Sequence, residues 1–349
     1  MEPLKYHALE KFDTIRVIRI RPVEKSGNPE RIDCDIEHIQ IGQVPYDALS
    51  YEWGLPNADD PTIHLNGSVI AIRRNLFQAL SHLRYSLDDR PIWIDALSIN
   101  QSDTLERNHQ VRLMRSIYRG ATQVMIWPGG TEDLDESAVA VVDRQSFKYE
   151  QSTEASAEMD SVYALIEKLS ERTYWRRVWI QQEVFLAQYL CIMYGRRQLM
   201  SYDIFDHLLA LSTSPKSPYA RAPAAWFEKN AAHSLGLRKR ASPTQNPLET
   251  WIRMACKKGL QTSEPRDLIY GMLGISGDCQ DGGLKPDYDK PLPDVYLETM
   301  SFCRQRRPER EHDRLDKMLA EKLGLSWDSE METRIQEYCQ QKATVRHED

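Results

Sequence analysis

Trp179 and Glu183 stand four residues apart in RRVWIQQEV, so on a helix they share one face. A lone carboxylate beside an aromatic wall can stabilise a cation-like transition state. The plain alternative is a surface ion pair with a nearby arginine, Arg176 being two turns back from the glutamate. A second group is Asp95 with the polar loop Ser98-Ile99-Asn100-Gln101, in which Ser98, Asn100 and Gln101 can hydrogen-bond a ligand. Asp95 itself can equally cap a turn or pair with Arg107 or Arg112. A third is YDALSYEWG (46–54), where Ser50, Tyr51 and Trp53 bring a hydroxyl and two rings and Gly54 brings backbone freedom. An aromatic there can stack on a heterocycle, although buried aromatics are more often core. Arg107 can hold a phosphate or close a salt bridge. No Ser-His-Asp or Cys-His arrangement is visible, and His109 has no evident partner.

These residues need a frame, and 91–130 supplies it. Ile92-Trp93-Ile94 is an apolar run of strand length that stops at Asp95. Asp103 followed by Glu106 reads as a capping box, so both are helix-capping groups and not acids. Val111, Met114 and Tyr118 form one helical stripe, Gly120 ends the helix, and Val124-Met125-Ile126-Trp127 is a second strand. Strand, helix, strand is a βαβ unit with parallel strands. Ligands bind beyond the carboxyl ends of such strands, and here those ends carry Asp95–Gln101 and Pro128–Gly130.

Along the chain, 14–23 and 31–41 alternate as a hairpin on a sheet edge, with outward charges that discourage further pairing and a turn at Ser26–Pro29. Residues 62–72 form a hairpin around Asn66-Gly67. Asn75 caps a helix carrying Leu76, Leu80, Leu83 and Leu87. The stretch after Asp143 reads as a mobile insertion, 159–170 as a helix, and Thr173 as the cap of a helix running through TYWRRVWIQQEVFLAQ. Leu190–Tyr194 is a strand. Beyond about 200 the pattern turns to helices and loops. These include a Pro/Ser-rich linker at 212–224, a basic run at Leu237–Arg240 read as a solvated loop, a helix from Pro265 to Gly274, and exposed charged helices after Arg304. Trp93, Trp127 and Trp175 are read as core.

A chain of 349 residues with a formal charge of −7 is large enough for a sizeable core, and its acidic balance argues against general nucleic-acid binding. Six scattered cysteines without a CxxC pair point to reduced thiols in a cytoplasmic protein. No apolar run reaches membrane-spanning length, and nine histidines without HExxH-like spacing give no metal site.

YDALSYEWG (46–54), PIWIDALSINQSDTLERNHQVRLMRSIYRGATQVMIWPG (91–129) and RRVWIQQEV (176–184) together resemble the fungal heterokaryon-incompatibility (HET) domain. EPRDLIYGMLGI and PDYDKPLPDVY resemble the segment that commonly follows it. The resemblance implies a role in programmed cell death after non-self recognition and, more distantly, kinship with TIR domains. It also implies an α/β fold: a TIR-like (flavodoxin-like) domain with a parallel central sheet at 44–200, an N-terminal β-hairpin extension at 1–43, and a mostly helical C-terminal region at 201–349. Trp179-Ile180-Gln181-Gln182-Glu183 is similar to the Trp-x-x-x-Glu of TIR domains, whose glutamate is catalytic in NAD-cleaving members. That makes Glu183 the catalytic candidate. Ser50, Tyr51, Trp53, Gly54, Asp95, Ser98, Asn100, Gln101, Arg107 and Trp179 become candidates for binding NAD as a substrate, with no resident cofactor. The alternative is a non-catalytic module acting by homotypic contacts. Implied partners are copies of itself or other HET or NLR-type sensors. There is no GxxxxGK[ST], so the chain resembles a stand-alone family member, shortened at its C-terminus.

Overall fold

Among the described residues nine short segments join one mixed sheet, whose central strands alternate side chains between two faces that are both covered. The computed structural model describes residues 4–22, 30–84, 90–130, 134, 136–145, 157–194, 198–213, 230–240, 246–307 and 313–345. The strands are β1 (Thr14–Ile20), β2 (Asp33–Gln40), β3 (Asp47–Tyr51), β4 (Thr62–Leu65), β5 (Ser68–Ala71), β6 (Arg90–Trp93), β7 (Val124–Trp127), β8 (Leu190–Tyr194) and β9 (Gln198–Ser201). Their order is β5-β4-β2-β1-β6-β3-β7-β8-β9. In the middle, β6, β3, β7 and β8 run parallel. Counted along the chain, this block reads 2-1-3-4. β1 is antiparallel to both β2 and β6, and β9 to β8. β6 and β7 are parallel as expected, but β3 lies between them.

The helices are α1 (Arg74–Leu83), the single turn α2 (Asp95–Ser98), α3 (Thr104–Gly120), α4 (Glu136–Gln145), α5 (Ala157–Ser170), α6 (Ile180–Leu186), α7 (Tyr202–Thr213), α8 (Ala231–Arg240), α9 (Leu248–Lys258), α10 (Asp267–Leu273), α11 (Leu292–Arg306), α12 (Asp313–Lys322) and α13 (Ser329–Val345). The strands alternate between two cores. Ala48, Trp93, Val124 and Ile126 face the larger one, with α3, α5, α6 and the C-terminal helices. Leu49, Ile92, Met125 and Trp127 face the smaller one, under α1. Period two with both faces buried is what short continuous apolar strands require.

The hairpin at 62–72 forms as its Asn-Gly turn predicts. Asn66 (φ 51°) and Gly67 (φ 79°) both take the left-handed conformation of a tight two-residue turn. The N-terminal hairpin forms too, but β1 is not on an edge. It pairs with β6 on its other side, so the alternation of basic residues does not face water throughout. Arg16 is fully buried and binds both oxygens of Glu106, at 2.5 and 2.9 Å, the Ser98 carbonyl at 3.1 Å and the His7 carbonyl at 2.6 Å. Glu106 is thereby taken from its expected place in a capping box. Asp103 does cap α3 by accepting from the Glu106 N–H, but the Glu106 carboxylate receives Arg16 and the Asn100 N–H. The turn expected at Ser26–Pro29 and most of the insertion after Asp143 and of the linker at 212–224 lie outside the described residues.

Other local readings shift for similar tertiary reasons. Asn75 is inside α1 and not at its cap. Its amide donates to the Glu52 carbonyl and accepts from the Trp127 indole at 2.7 Å. Gly120 is the last residue of α3 and needs its missing side chain for space, because a Cβ there would meet Ile41 at 3.0 Å and the Tyr46 hydroxyl at 3.1 Å. Leu237–Arg240 end α8 and do not form a loop. The charged helices after Arg304 are not simply exposed: α12 buries Leu315, Leu319 and Ala320, and Asp316 takes Arg304 at 2.5 Å.

The expected long helix from Thr173 is broken. A 3-10 turn covers Thr173–Arg176, and α6 starts only at Ile180. Between them Arg177 is extended and bridges to Gln261: the next residue's N–H, of Val178, donates to the Gln261 carbonyl at 3.0 Å, and Gln261 N–H donates to the Arg176 carbonyl at 2.7 Å. Helix α10 lies close behind, with Gly271 against Val178. A Cβ on Gly271 would sit 2.5 Å from Val178 Cγ1, and Val178 has no exposure to move into. Gly271→Ala is therefore expected to lower stability by about 1–3 kcal/mol, read as a fall in the thermal unfolding midpoint. An unchanged midpoint would mean that this contact is loose.

Candidate functional site

A cleft of about 620 Å³ opens beyond the carboxyl ends of β3 and β6, within the size range of small-molecule sites. Glu52, Trp53 and Gly54 leave β3 into one wall, while Asp95, Ile99 and Gln101 follow β6 into another. Helix α3 adds Arg107, Val111 and Met114. The break between the 3-10 turn and α6 adds Arg177, Val178 and Trp179. The last wall comes from the C-terminal region, as Gln261–Glu264, Asp267 and Tyr288.

Each carboxylate of the cleft already has partners. Asp95 accepts from the Trp53 indole at 2.8 Å and the Ala96 N–H at 2.7 Å. Burial pushes its pKa up, against the pull of Arg177 and these hydrogen bonds. Glu52 takes the Thr173 hydroxyl at 2.6 Å, and Glu264 takes Arg266 at 2.7 Å. Asp267 accepts from the Tyr288 hydroxyl at 2.6 Å and the Thr262 hydroxyl at 3.2 Å. Burial raises its pKa as well.

Glu183 lies beneath this cleft, not on its wall. Its side chain is buried, the residue being 2% exposed, and accepts a short hydrogen bond from the Ser50 hydroxyl. Ser50 in turn meets the Tyr174 hydroxyl at 2.5 Å. The sheet explains the meeting: Ser50 points to the same face of β3 as Ala48, the face that α6 covers. Desolvation raises the Glu183 pKa to about 7, with Arg177 and the Ser50 bond opposing it. Arg177 joins the two levels. It lines the cleft, donates to the Tyr51 carbonyl, and is held charged by Glu183 and Asp95 against its own desolvation.

The raised pKa sets a pH dependence. The folded state keeps a proton on Glu183 that an unfolded glutamate has lost, so the folded state binds more protons between the unfolded value near 4.5 and about 7. This contribution to stability is present in full below about 4.5 and is lost as pH rises through 7. Wild type is expected to lose more of its melting temperature between pH 5 and pH 8 than Glu183→Gln does. Parallel losses would show that Glu183 is ionised across the range.

Of the residues singled out from sequence, Trp53, Gly54, Asp95, Gln101, Arg107 and Trp179 meet around the cleft. Tyr51 is buried in the smaller core, close enough to Asp95 to bond it. Ser98 and Asn100 serve their own loop: the Ser98 hydroxyl accepts from the Ile94 N–H at 3.1 Å, and the Asn100 side chain accepts from the Ser102 hydroxyl at 2.7 Å. Sequence reasoning misses Arg177, choosing the exposed Arg176, because it does not see the helix break. It also misses Tyr174, Asp267 and Tyr288. The last two sit in EPRDLIYGMLGI and PDYDKPLPDVY, whose polar and aromatic residues are the available signal.

The sequence profile of the family described as heterokaryon incompatibility protein (HET) matches residues 46–183, from β3 through Glu183. The chain is also 27% identical over 353 aligned positions to "Heterokaryon incompatibility protein 6, OR allele" of Neurospora crassa, covering 82% of this chain and 51% of that protein. It thus spans about half the length of this curated relative. No solved structure matches the chain. No helix among the described residues is long and apolar enough to cross a membrane. With the motifs of 46–54, 91–129 and 176–184 gathered around one cleft and its floor, both comparisons point the same way: residues 46–183 of this chain match the heterokaryon-incompatibility (HET) family.

Proposed function

We propose that this protein acts in heterokaryon incompatibility, as an effector of programmed cell death, and that its cleft binds and cleaves NAD. In NAD the bond between ribose and nicotinamide breaks to release a neutral base from a cationic pyridinium, so the leaving group needs no acid. The ribose becomes oxocarbenium-like, water adds to its anomeric carbon, and a proton is released with ADP-ribose and nicotinamide. Glu183 is the carboxylate that stabilises the ribosyl cation. Trp53 and Trp179 are walls for the rings. The strand order 2-1-3-4 supports the TIR-like, flavodoxin-like reading, because that order carries ligands beyond the carboxyl ends of its strands.

The observation that carries the reading is the buried Glu183 carboxylate, with a pKa near 7, next to Arg177, which lines a cleft of ligand size. Glu183 is sealed in this arrangement, so Arg177 must move before the carboxylate meets a ribose. Assembly with further copies or with a sensor supplies that movement. The experiment is to incubate the full chain with NAD at high protein concentration, or with a crowding agent, and follow nicotinamide. Release that rises more steeply than protein concentration is expected. No release above a buffer control at any concentration would end the hydrolase reading.

The burial of Glu183 favours a second reading, a module that signals by homotypic contacts without chemistry. There the Glu183–Ser50–Tyr174 cluster only ties α6 and the 3-10 turn to β3.

A further inference from the structure

Arg107 differs from the other charged groups around the cleft. Arg177 faces Glu183 and Asp95, and every carboxylate of the wall is hydrogen-bonded. The Arg107 guanidinium lies 4.2 Å above the centre of the Tyr288 ring. Its Nε is buried with no hydrogen-bond partner, and no carboxylate among the described residues reaches it within ion-pair distance. A guanidinium laid on a ring is fixed in plane, so its outer edge offers paired N–H donors in one direction. That geometry matches a phosphoryl group, which takes two parallel hydrogen bonds.

Tyr288 is held where this platform needs it. Its hydroxyl donates to Asp267, and its backbone N–H donates to the Asn108 side chain at 3.0 Å, one residue along α3 from Arg107. The ring lies outside residues 46–183, whereas the arginine lies inside them. The two halves of the platform come from segments about 180 residues apart and meet only when the C-terminal region closes the cleft.

We propose that Arg107 and Tyr288 together form the anion-binding element of the cleft, which takes the phosphoryl group of a nucleotide ligand. This rests on reading the cleft as a ligand site and not on NAD being cleaved there. A cation without a carboxylate partner among the described residues, in a cleft whose other charges are satisfied, is the group that gains most from an anion. The aromatic side chains nearby leave room for the rest of a nucleotide to stack.

The test is calorimetric titration of the full chain with ADP-ribose, which has a diphosphate and no nicotinamide, and with adenosine, which has no phosphate. Wild type is expected to bind ADP-ribose at least about ten-fold more tightly than adenosine, with an advantage that shrinks as salt is raised. Arg107→Gln is expected to weaken ADP-ribose about ten-fold or more and to leave adenosine within about two-fold. Tyr288→Leu is expected to weaken ADP-ribose in the same direction. Arg107 has no ion pair to lose among the described residues, so the Arg107→Gln melting temperature should stay near wild type, which separates lost binding from lost folding. Equal losses for both ligands, an ADP-ribose affinity unchanged in Arg107→Gln, or no ADP-ribose binding at millimolar concentration would each overturn the proposal. ADP-ribose binding through Arg107 in a protein that releases no nicotinamide would retain this site and remove the hydrolase.

Discussion

Glu183→Gln is expected to abolish nicotinamide release, by a factor of about 10² or more, and to abolish toxicity on expression with it. The substitution keeps volume and an acceptor oxygen for the Ser50 hydroxyl, so β3 and α6 stay joined. It removes only the charge that a ribosyl cation needs. Folding should not suffer, because a neutral amide is cheaper than a carboxylate where burial already lifts the pKa to about 7. Release of nicotinamide and survival of cells would be measured for the same variant. Toxicity that persists while Glu183→Gln gives no release would establish the module reading. Release that persists would remove Glu183 from the chemistry altogether.

The second large effect is on stability. Glu106→Ala strips the carboxylate from Arg16, whose side chain has no exposure at all, leaving a buried guanidinium with carbonyl partners only. Such a change costs about 3–5 kcal/mol. It also frees the Asn100 N–H and so loosens the loop beyond β6. A large drop in the denaturation midpoint is expected. The paired replacement Arg16→Met with Glu106→Leu should recover much of it, since two apolar side chains leave no charge unmatched. A single variant within about 1 kcal/mol of wild type, in urea denaturation, would show that water reaches Arg16.

These two sites are not equally legible in the sequence. β7 and β8 announce themselves as short apolar runs, and the β4–β5 turn as Asn66-Gly67, because those signals are local. Asp103 as the cap of α3 is local too. Arg16 misleads because a basic residue in an alternating strand faces water by default. Only a carboxylate 90 residues away makes its burial tolerable. The break at Arg177 is invisible for the same reason: its cause is Gln261, far downstream, and nothing in TYWRRVWIQQEV discourages a helix. The site divides along this line. Residues at strand ends, such as Trp53 and Asp95, follow from topology. Tyr288 and Asp267 require knowing how the C-terminal region docks.

The family match begins at β3 and ends in α6, and the sheet does not respect those limits. β6 has β1 as its outer neighbour, β7 has β8, and the β4–β5 ribbon reaches the centre only through β2 and β1. Excised at 46–183, the segment would carry two bare strand borders, a detached ribbon and half a pocket. Evolution or an engineer moving this domain between proteins must therefore transport a larger cassette, with its N-terminal hairpin and its closing wall.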